Sequence, residues 1–164
     1  MMRKPKINIV TLGCSKNKVD SERLAASLSH CYDIMHDSDK KSDVVIINTC
    51  GFIGDAKEES IDTILEYAEL RKANKIKKLY VMGCLSQRYR KELQEEIHEV
   101  DGFFGVESVQ LIASQILSNS ISQQLGNSIS IYNPERLLST PSHYAYLKIS
   151  EGCNRRCAFC AIPL

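Results

Sequence analysis

The chain has 164 residues, of which 43% are hydrophobic and 25% are charged, and its formal net charge is +1. This composition is typical of a globular protein and excludes fibrous, disordered and membrane-spanning classes. No apolar run approaches the roughly 20 residues that a bilayer-spanning helix needs, and the N-terminus lacks the apolar core of a signal peptide. We therefore expect a cytoplasmic protein with no membrane partner. The scattered basic residues give no strong signal for direct nucleic-acid binding.

Strands and helices alternate along the first two thirds of the chain. The run DVVIIN at 43–48 is the clearest strand, because parallel strands that are buried on both faces are apolar throughout. The other predicted strands are 7–12, 32–35, 79–82 and 102–104, and the predicted helices are 21–29, 55–73, 87–96 and 108–117. This alternation predicts βαβ units, and therefore an α/β fold with a doubly wound parallel sheet and flanking helices.

The composition changes after residue 118. Residues 119–142 are rich in Ser, Asn and Gln and lack a sustained helical period, which predicts an extended linker. The sequence YAYLKIS at 144–150 then predicts a new strand that leads directly into three cysteines. We therefore divide the chain into a first domain at 1–118, a linker at 119–142, and the truncated start of a second domain at 143–164.

Seven cysteines are many for a cytosolic chain, where metal ligation or catalysis is favoured over disulfide formation. Cys153, Cys157 and Cys160 have the spacing C-x3-C-x2-C. So short a loop can hold three thiolates around one corner of an iron–sulfur cubane and leave the fourth iron open. The alternative is zinc, but a structural zinc needs four closed ligands. His143 precedes the predicted strand, and no other Cys or His lies nearby.

Three further cysteines are dispersed, but each lies just past the end of a predicted strand. Cys14, Cys50 and Cys84 are expected at one edge of a parallel sheet, where ligands gather. The alternative is three separate buried thiols that act as small apolar residues. A glycine borders each thiol and permits close approach of the backbone to a cofactor. These glycines are Gly13, Gly51 and Gly83. Cys31 has no such context and is interpreted as structural.

Four polar residues follow Cys14 closely: Asn17, Asp20, Ser21 and Glu22. Their side chains either support the ligands from behind, or, in the case of Asp20 and Ser21, cap the following helix. The sequence leaves both alternatives open, and it assigns no catalytic residue.

The segment EGCNRRCAFC at 151–160 resembles the motif of the radical S-adenosylmethionine (SAM) superfamily, in which the cysteines follow the first strand of a (β/α) barrel. The resemblance implies that the open iron binds the amino and carboxylate groups of SAM. Delivery of one electron then yields a 5′-deoxyadenosyl radical. An aromatic residue precedes the third cysteine of the motif, here Phe159. It is expected to contact the adenine side of SAM, with ordinary loop packing as the alternative.

The segments LGCSKNKVDSE at 12–22, NTCGFI at 48–53 and MGCL at 82–85 look like the three cluster segments of the methylthiotransferase family. Their forms are similar to the branch that modifies an aspartate of small-subunit ribosomal protein twelve. The resemblance implies two [4Fe–4S] clusters, one on Cys14, Cys50 and Cys84 and a SAM-binding one on the C-terminal triad. It also implies transfer of a methylthio group to the aspartate β-carbon, from an unidentified sulfur donor.

Two other functions remain open at this point. One is a tRNA adenosine methylthiotransferase with the same clusters, and the other is a non-catalytic iron–sulfur or zinc-binding module. The resemblance covers nearly the whole chain but only about the first third of a complete enzyme. We therefore expect the chain alone to be inactive, because the remaining barrel is missing.

Overall fold

The computed structural model describes residues 4–52, 54–106, 109–121, 136–158 and 160. Within these ranges strands and helices alternate as predicted. In chain order they are β1 (Lys6–Thr11), α1 (Ser15–Leu28), β2 (Asp33–His36), β3 (Val44–Thr49), α2 (Gly54–Lys72), β4 (Lys78–Gly83), α3 (Cys84–Arg88), α4 (Arg90–Glu96), β5 (Gly102–Phe103) and α5 (Val109–Ile121).

The strands form a single sheet with the order β2-β1-β3-β4-β5, and every pair of neighbours is parallel. The chain passes from β1 to β2 at one edge of the sheet, crosses back to β3, and continues through β4 to β5 at the other edge. The direction of winding therefore reverses between β1 and β3. One core lies between the sheet and helices α1 and α5, and includes Ile9, Leu24 and Ile112. The other lies beneath α2 and α4, and includes Ile64 and Val81. Helices cover both faces, so the predicted α/β fold with a doubly wound parallel sheet is confirmed.

Two helix boundaries differ from the prediction. Helix α1 begins at Ser15, six residues before the predicted start. Its N-cap is Cys14, and no side chain caps it by a hydrogen bond. The usual Ser, Asp or Asn signal is therefore missing from the sequence. The helix predicted over 87–96 is two short helices that are separated by Tyr89, whose backbone is not helical. The first of them begins directly at the end of β4.

Helix α2 has a narrower buried face than its apolar spacing suggests. Ile61, Ile64, Leu65 and Ala68 repeat at the spacing of one helix face, but only Ile64 and Ala68 are fully buried. Ile61 is partly buried against the same core, whereas Leu65 is 47% exposed. None of the helices described here combines the length and apolar character that crossing a bilayer requires.

The strand predicted over 144–150 is not formed in the structure. These residues adopt neither helix nor strand, and Leu147 and Ile149 are more than four-fifths exposed. A strand is held by hydrogen bonds to a neighbouring strand, and no described strand of this chain lies beside it. The division into domains stays a prediction. Helix α5 continues to Ile121, three residues into the predicted linker, and most of that linker lies outside the described residues.

A cluster of charged side chains joins α2, the start of β4 and the turn before β5. The carboxylate of Asp101 accepts hydrogen bonds from Arg71 Nε at 3.1 Å, Lys78 Nζ at 2.6 Å and the Leu79 amide at 2.9 Å. Burial alone would raise the pKa of Asp101, but these donors outweigh burial and hold its pKa below the ordinary value. The ionised carboxylate therefore stabilises the fold at neutral pH.

Candidate functional site

The three dispersed cysteines lie at the C-terminal ends of three adjacent strands. Cys14 follows β1 after two residues, Cys50 follows β3 directly, and Cys84 follows β4 directly. Because β1, β3 and β4 are consecutive parallel neighbours, these ends share one edge of the sheet. Cys14 and Cys50 also flank the β1–β3 pair, where the winding direction reverses and open α/β sheets place their ligands.

The loops that carry these cysteines are packed against one another. A Cβ built on Gly13 would lie 2.6 Å from the Cβ of Cys50 and 2.9 Å from its Sγ. A Cβ built on Gly51 would lie 3.3 Å from the carbonyl carbon of Cys84. The first loop therefore meets the second, and the second meets the third. No side chain larger than hydrogen fits at either glycine without a shift of its neighbours.

Asn17 connects the first two cysteine loops from behind. Its Nδ2 donates hydrogen bonds to the carbonyl of Leu12 at 2.9 Å and to the carbonyl of Thr49 at 3.0 Å. Its Oδ1 lies 3.7 Å from Sγ of Cys14, which donates to it. Because the Asn17 side chain is buried, water does not replace it as the hydrogen-bond donor to these two carbonyls. Asn17 thus supports the site, as one of the two sequence alternatives proposed.

Asn48 and Ser21 extend this support. The Nδ2 of Asn48 donates to the carbonyl of Asn17 at 2.8 Å and to Oγ of Ser21 at 3.0 Å, and Thr11 Oγ1 donates to Ser21 Oγ at 2.8 Å. Ser21 lies in the interior of α1, so the alternative that it caps this helix is wrong. The same holds for Asp20. Asp20 and Glu22 bind residues of the 136–148 region instead of the cysteine loops.

Ser60 on α2 holds both backbone groups of Cys50. Its Oγ accepts a hydrogen bond from the Cys50 amide at 3.1 Å and donates to the Cys50 carbonyl at 3.0 Å. Ser60 was not among the predicted site residues. Ser60 precedes Ile64 by four positions and is fully buried on the same face of α2. The signal available in the sequence was this spacing, which places a serine in line with the apolar residues of the helix.

The thiols influence one another electrostatically. Burial raises the pKa of the Cys84 thiol, and the neighbouring Cys50 and Cys14 raise it further, as does Glu151. Three thiolates at this edge would repel one another, so their joint deprotonation requires a compensating cation. No described cysteine is in a disulfide, which leaves all three thiols free for such a cation.

The three thiols are a donor set of the kind that an iron–sulfur cluster takes. Among the described residues, no three Cys, His, Asp or Glu side chains converge closely enough to hold one ion. In a cubane each thiolate binds a different iron, so the three need not meet at one atom. The three soft thiol donors agree with a thiophilic group.

The C-terminal triad lies in irregular backbone. Cys153 and Cys157 are exposed and Cys160 is partly buried. The amide of Arg155 approaches Sγ of Cys153 at 3.4 Å, and the Cys160 amide donates to the carbonyl of Cys157 at 3.1 Å. The chain is therefore turned back on itself around these thiols. Phe159, the predicted SAM contact, lies outside the described residues.

The chain is similar to known proteins over nearly its whole length. Residues 6–105, well over half of the chain, match the model of a family described as uncharacterized protein family UPF0004. Similar curated proteins are named ribosomal protein uS12 methylthiotransferase RimO. They include those of Phocaeicola vulgatus, 53% identical, Bacteroides fragilis, 52% identical, and Cytophaga hutchinsonii, 50% identical. Each alignment covers 99% of this chain, but the chain spans only 36% of the length of these relatives. The chain belongs to the UPF0004 family, and over nearly its whole length it is similar to RimO methylthiotransferases.

Proposed function

We propose that this chain is the cluster-carrying N-terminal part of a methylthiotransferase that uses two [4Fe–4S] clusters and SAM. Its substrate is the β-carbon of an aspartate in ribosomal protein uS12. The observation that carries the proposal is the placement of Cys14, Cys50 and Cys84 after three adjacent parallel strands. The names of the similar proteins supply the reaction and the substrate.

In this proposal Cys14, Cys50 and Cys84 hold the first cluster. Cys153, Cys157 and Cys160 hold the second, with Phe159 beside the adenine of SAM. When bound, the first cluster supplies an open iron for sulfur, and the second supplies an open iron and one electron for SAM cleavage. Separate sites are reasonable because sulfur delivery and hydrogen abstraction need different irons near the same substrate carbon.

The residues of this chain prepare the first site for its ligand. Asn17 ties the Cys14 loop to the end of β3, and Ser60 fixes the backbone on both sides of the Cys50 side chain. Gly13 leaves the space that Sγ of Cys50 needs. Because these supports come from packed helices, the thiols stay near one another before any cluster binds.

Anaerobic reconstitution of the purified chain with iron and sulfide tests the sites. We expect about eight iron atoms per chain. Replacing Cys14, Cys50 and Cys84 together by serine should leave about four, as should replacing the C-terminal triad. Cys31→Ser is the matched control and should leave the iron content unchanged. Zinc without sulfide, or iron content that is insensitive to the first triad, would contradict the assignment and favour a zinc-binding module.

The substrate is tested on the complete protein in cells. Deletion of its gene should remove a methylthio group from ribosomal protein uS12, as measured by intact-protein mass. Bulk tRNA nucleosides from the same cells should be unchanged. Loss of a methylthio adenosine with uS12 unaltered would instead identify the tRNA-modifying branch.

A further inference from the structure

Residues 136–151, here named the docked segment, lie against helix α1 although more than a hundred positions separate the two in sequence. Glu22 is the first anchor. Its Oε1 accepts hydrogen bonds from the amide and the hydroxyl of Ser139 at 2.8 and 2.9 Å, and its Oε2 lies 3.2 Å from Nε of Arg136. The Glu22 carbonyl also accepts from the Leu137 amide at 3.2 Å. The Glu22 side chain is fully buried.

Asp20 is the second anchor. Lys148 Nζ donates to both carboxylate oxygens of Asp20, at 2.9 and 2.7 Å, and also pairs with Glu151. The Lys148 side chain is only 10% exposed. Burial alone would lower the pKa of Lys148, but its hydrogen bonds to Asp20 and Glu151 raise that pKa above the ordinary value. The ammonium is therefore held by two carboxylates, one from each side of the contact.

The two anchors are on different sides of the helix. Positions two apart lie about 200° around the axis of an α-helix, so Asp20 and Glu22 grip the docked segment at separate points. The segment is also braced internally. Arg136 Nη1 donates to the carbonyl of Tyr146 at 2.6 Å, and Thr140 Oγ1 donates to the carbonyl of Tyr144 at 2.8 Å. Together these bonds fix the docked segment across α1.

This arrangement links the two cysteine triads by a short path. Cys14 is the N-cap of α1, and the six-residue helical rise from it to Asp20 is about 9 Å. From Lys148 to Cys153 the chain has five residues, which reach at most about 18 Å. The anchors on α1 thus limit how far the second triad can move from the first.

We propose that Asp20 and Glu22 are positioning residues that dock residues 136–151 on α1 and thereby hold the C-terminal triad near the first. That both triads carry clusters rests on the proposed function, whereas the docking does not. Neither carboxylate touches a described thiol. Their effect passes through Arg136, Ser139 and Lys148.

Hydrogen exchange of the reduced, metal-free chain tests the docking. In Glu22→Gln an amide nitrogen can face Arg136 Nε, and two donors cannot bond. We expect peptides that cover 136–151 to exchange at least tenfold faster, equivalent to about 1.4 kcal/mol, while the sheet is unchanged. Glu69→Gln is the control, because it removes an exposed carboxylate that pairs with the exposed Lys72 at 3.9 Å. Should Glu22→Gln not fold, Arg136→Gln breaks the same contact and leaves α1 intact.

Conservative variants separate charge pairing from general packing. Lys148→Arg keeps a cation opposite Asp20 and should retain the protection, whereas Lys148→Met should lose it. Positioning is read from thiol cross-linking with a short bismaleimide, followed by peptide mapping. Cross-links between the two triads should fall at least about threefold in Glu22→Gln and Lys148→Met. The reason is that release of the docked segment lowers the effective concentration of the C-terminal thiols near the first triad. Exchange and cross-linking equal to the parent chain would overturn the docking. Faster exchange with undiminished cross-linking would overturn the positioning role.

Discussion

Gly83→Ala is expected to destabilise the fold from within the candidate site. Gly83 is the last residue of β4, paired with Thr49 of β3, and its backbone has φ +102°. Only glycine adopts this conformation readily, and another residue held there costs about 1–3 kcal/mol. The position lets the chain turn from β4 straight into the helix that begins at Cys84.

Sterics add to that conformational cost. A Cβ on Gly83 would lie 2.4 Å from the carbonyl oxygen of Thr49 and 2.9 Å from its nitrogen. Both atoms are backbone of a central strand, so neither can move aside as a flexible side chain would. Overpacking of this kind costs about 1–3 kcal/mol. The same Thr49 oxygen accepts the hydrogen bond from Asn17, so a shift also weakens the link between cysteine loops. The total loss is about 2–6 kcal/mol.

Urea unfolding of the reduced chain measures this loss. With a slope of about 2 kcal/mol per molar urea, the midpoint should fall by about 1–3 M. Gly54→Ala is the matched control, because Gly54 is the first residue of α2 and nothing lies within 4 Å of its added Cβ. The Gly54→Ala chain should be as stable as the parent chain or slightly more stable. A Gly83→Ala chain with the parent midpoint would refute the inference that the cysteine loops are packed at backbone contact.

Three further predictions concern the supports around the site and the core. Ser60→Ala leaves the buried amide and carbonyl of Cys50 without partners and should cost about 1–3 kcal/mol in urea unfolding; no loss would contradict the observed hydrogen bonds. Since the folded pKa of Asp101 lies below its unfolded value of 3.8, its stabilisation is present above that pH and is lost as pH falls through the folded pKa. Asp101→Asn should be less stable at pH 7 and lose less stability on acidification, and an equally steep acid decline would contradict this. Ile64→Ala should cost about 2–5 kcal/mol, whereas Leu65→Ala, at 47% exposure, should cost less than about 1 kcal/mol; equal losses would contradict the assigned buried face.

Much of the sheet was predictable because parallel strands that are covered on both faces appear in the sequence as short, nearly continuous apolar runs. Residues 44–47 are four consecutive β-branched apolar residues, and β3 at Val44–Thr49 is indeed buried along its whole length. Helix starts were less predictable. Helix α1 begins after a cysteine rather than after a polar capping residue, so local propensity placed its start too late. The strand predicted over 144–150 is not formed among the described residues, because strand propensity has no effect without a partner strand.

The candidate ligands, and a supporting role for Asn17 as one alternative, were readable from the sequence, but the partners of the supporting residues were not. A cysteine after each of three predicted strands, each beside a glycine, indicates convergence as soon as the sheet is taken to be parallel. The sequence places Ser60 and Asn48 only on a helix face and in a strand, because the role of a buried polar residue depends on the atoms that it meets. The assignment of the cysteines as cluster ligands stays a prediction for the reconstitution experiment.

Local patterns were enough to establish the α/β class, the strands that carry Cys14, Cys50 and Cys84, and the short spacing of the C-terminal triad. These properties depend on periodicity and on neighbours along the chain. The strand order, the grip of Asp20 and Glu22 on residues 136–151, and the backbone contact at Gly83 depend on atoms far apart in sequence. Such contacts follow from how helices and strands pack in three dimensions, which no local pattern encodes.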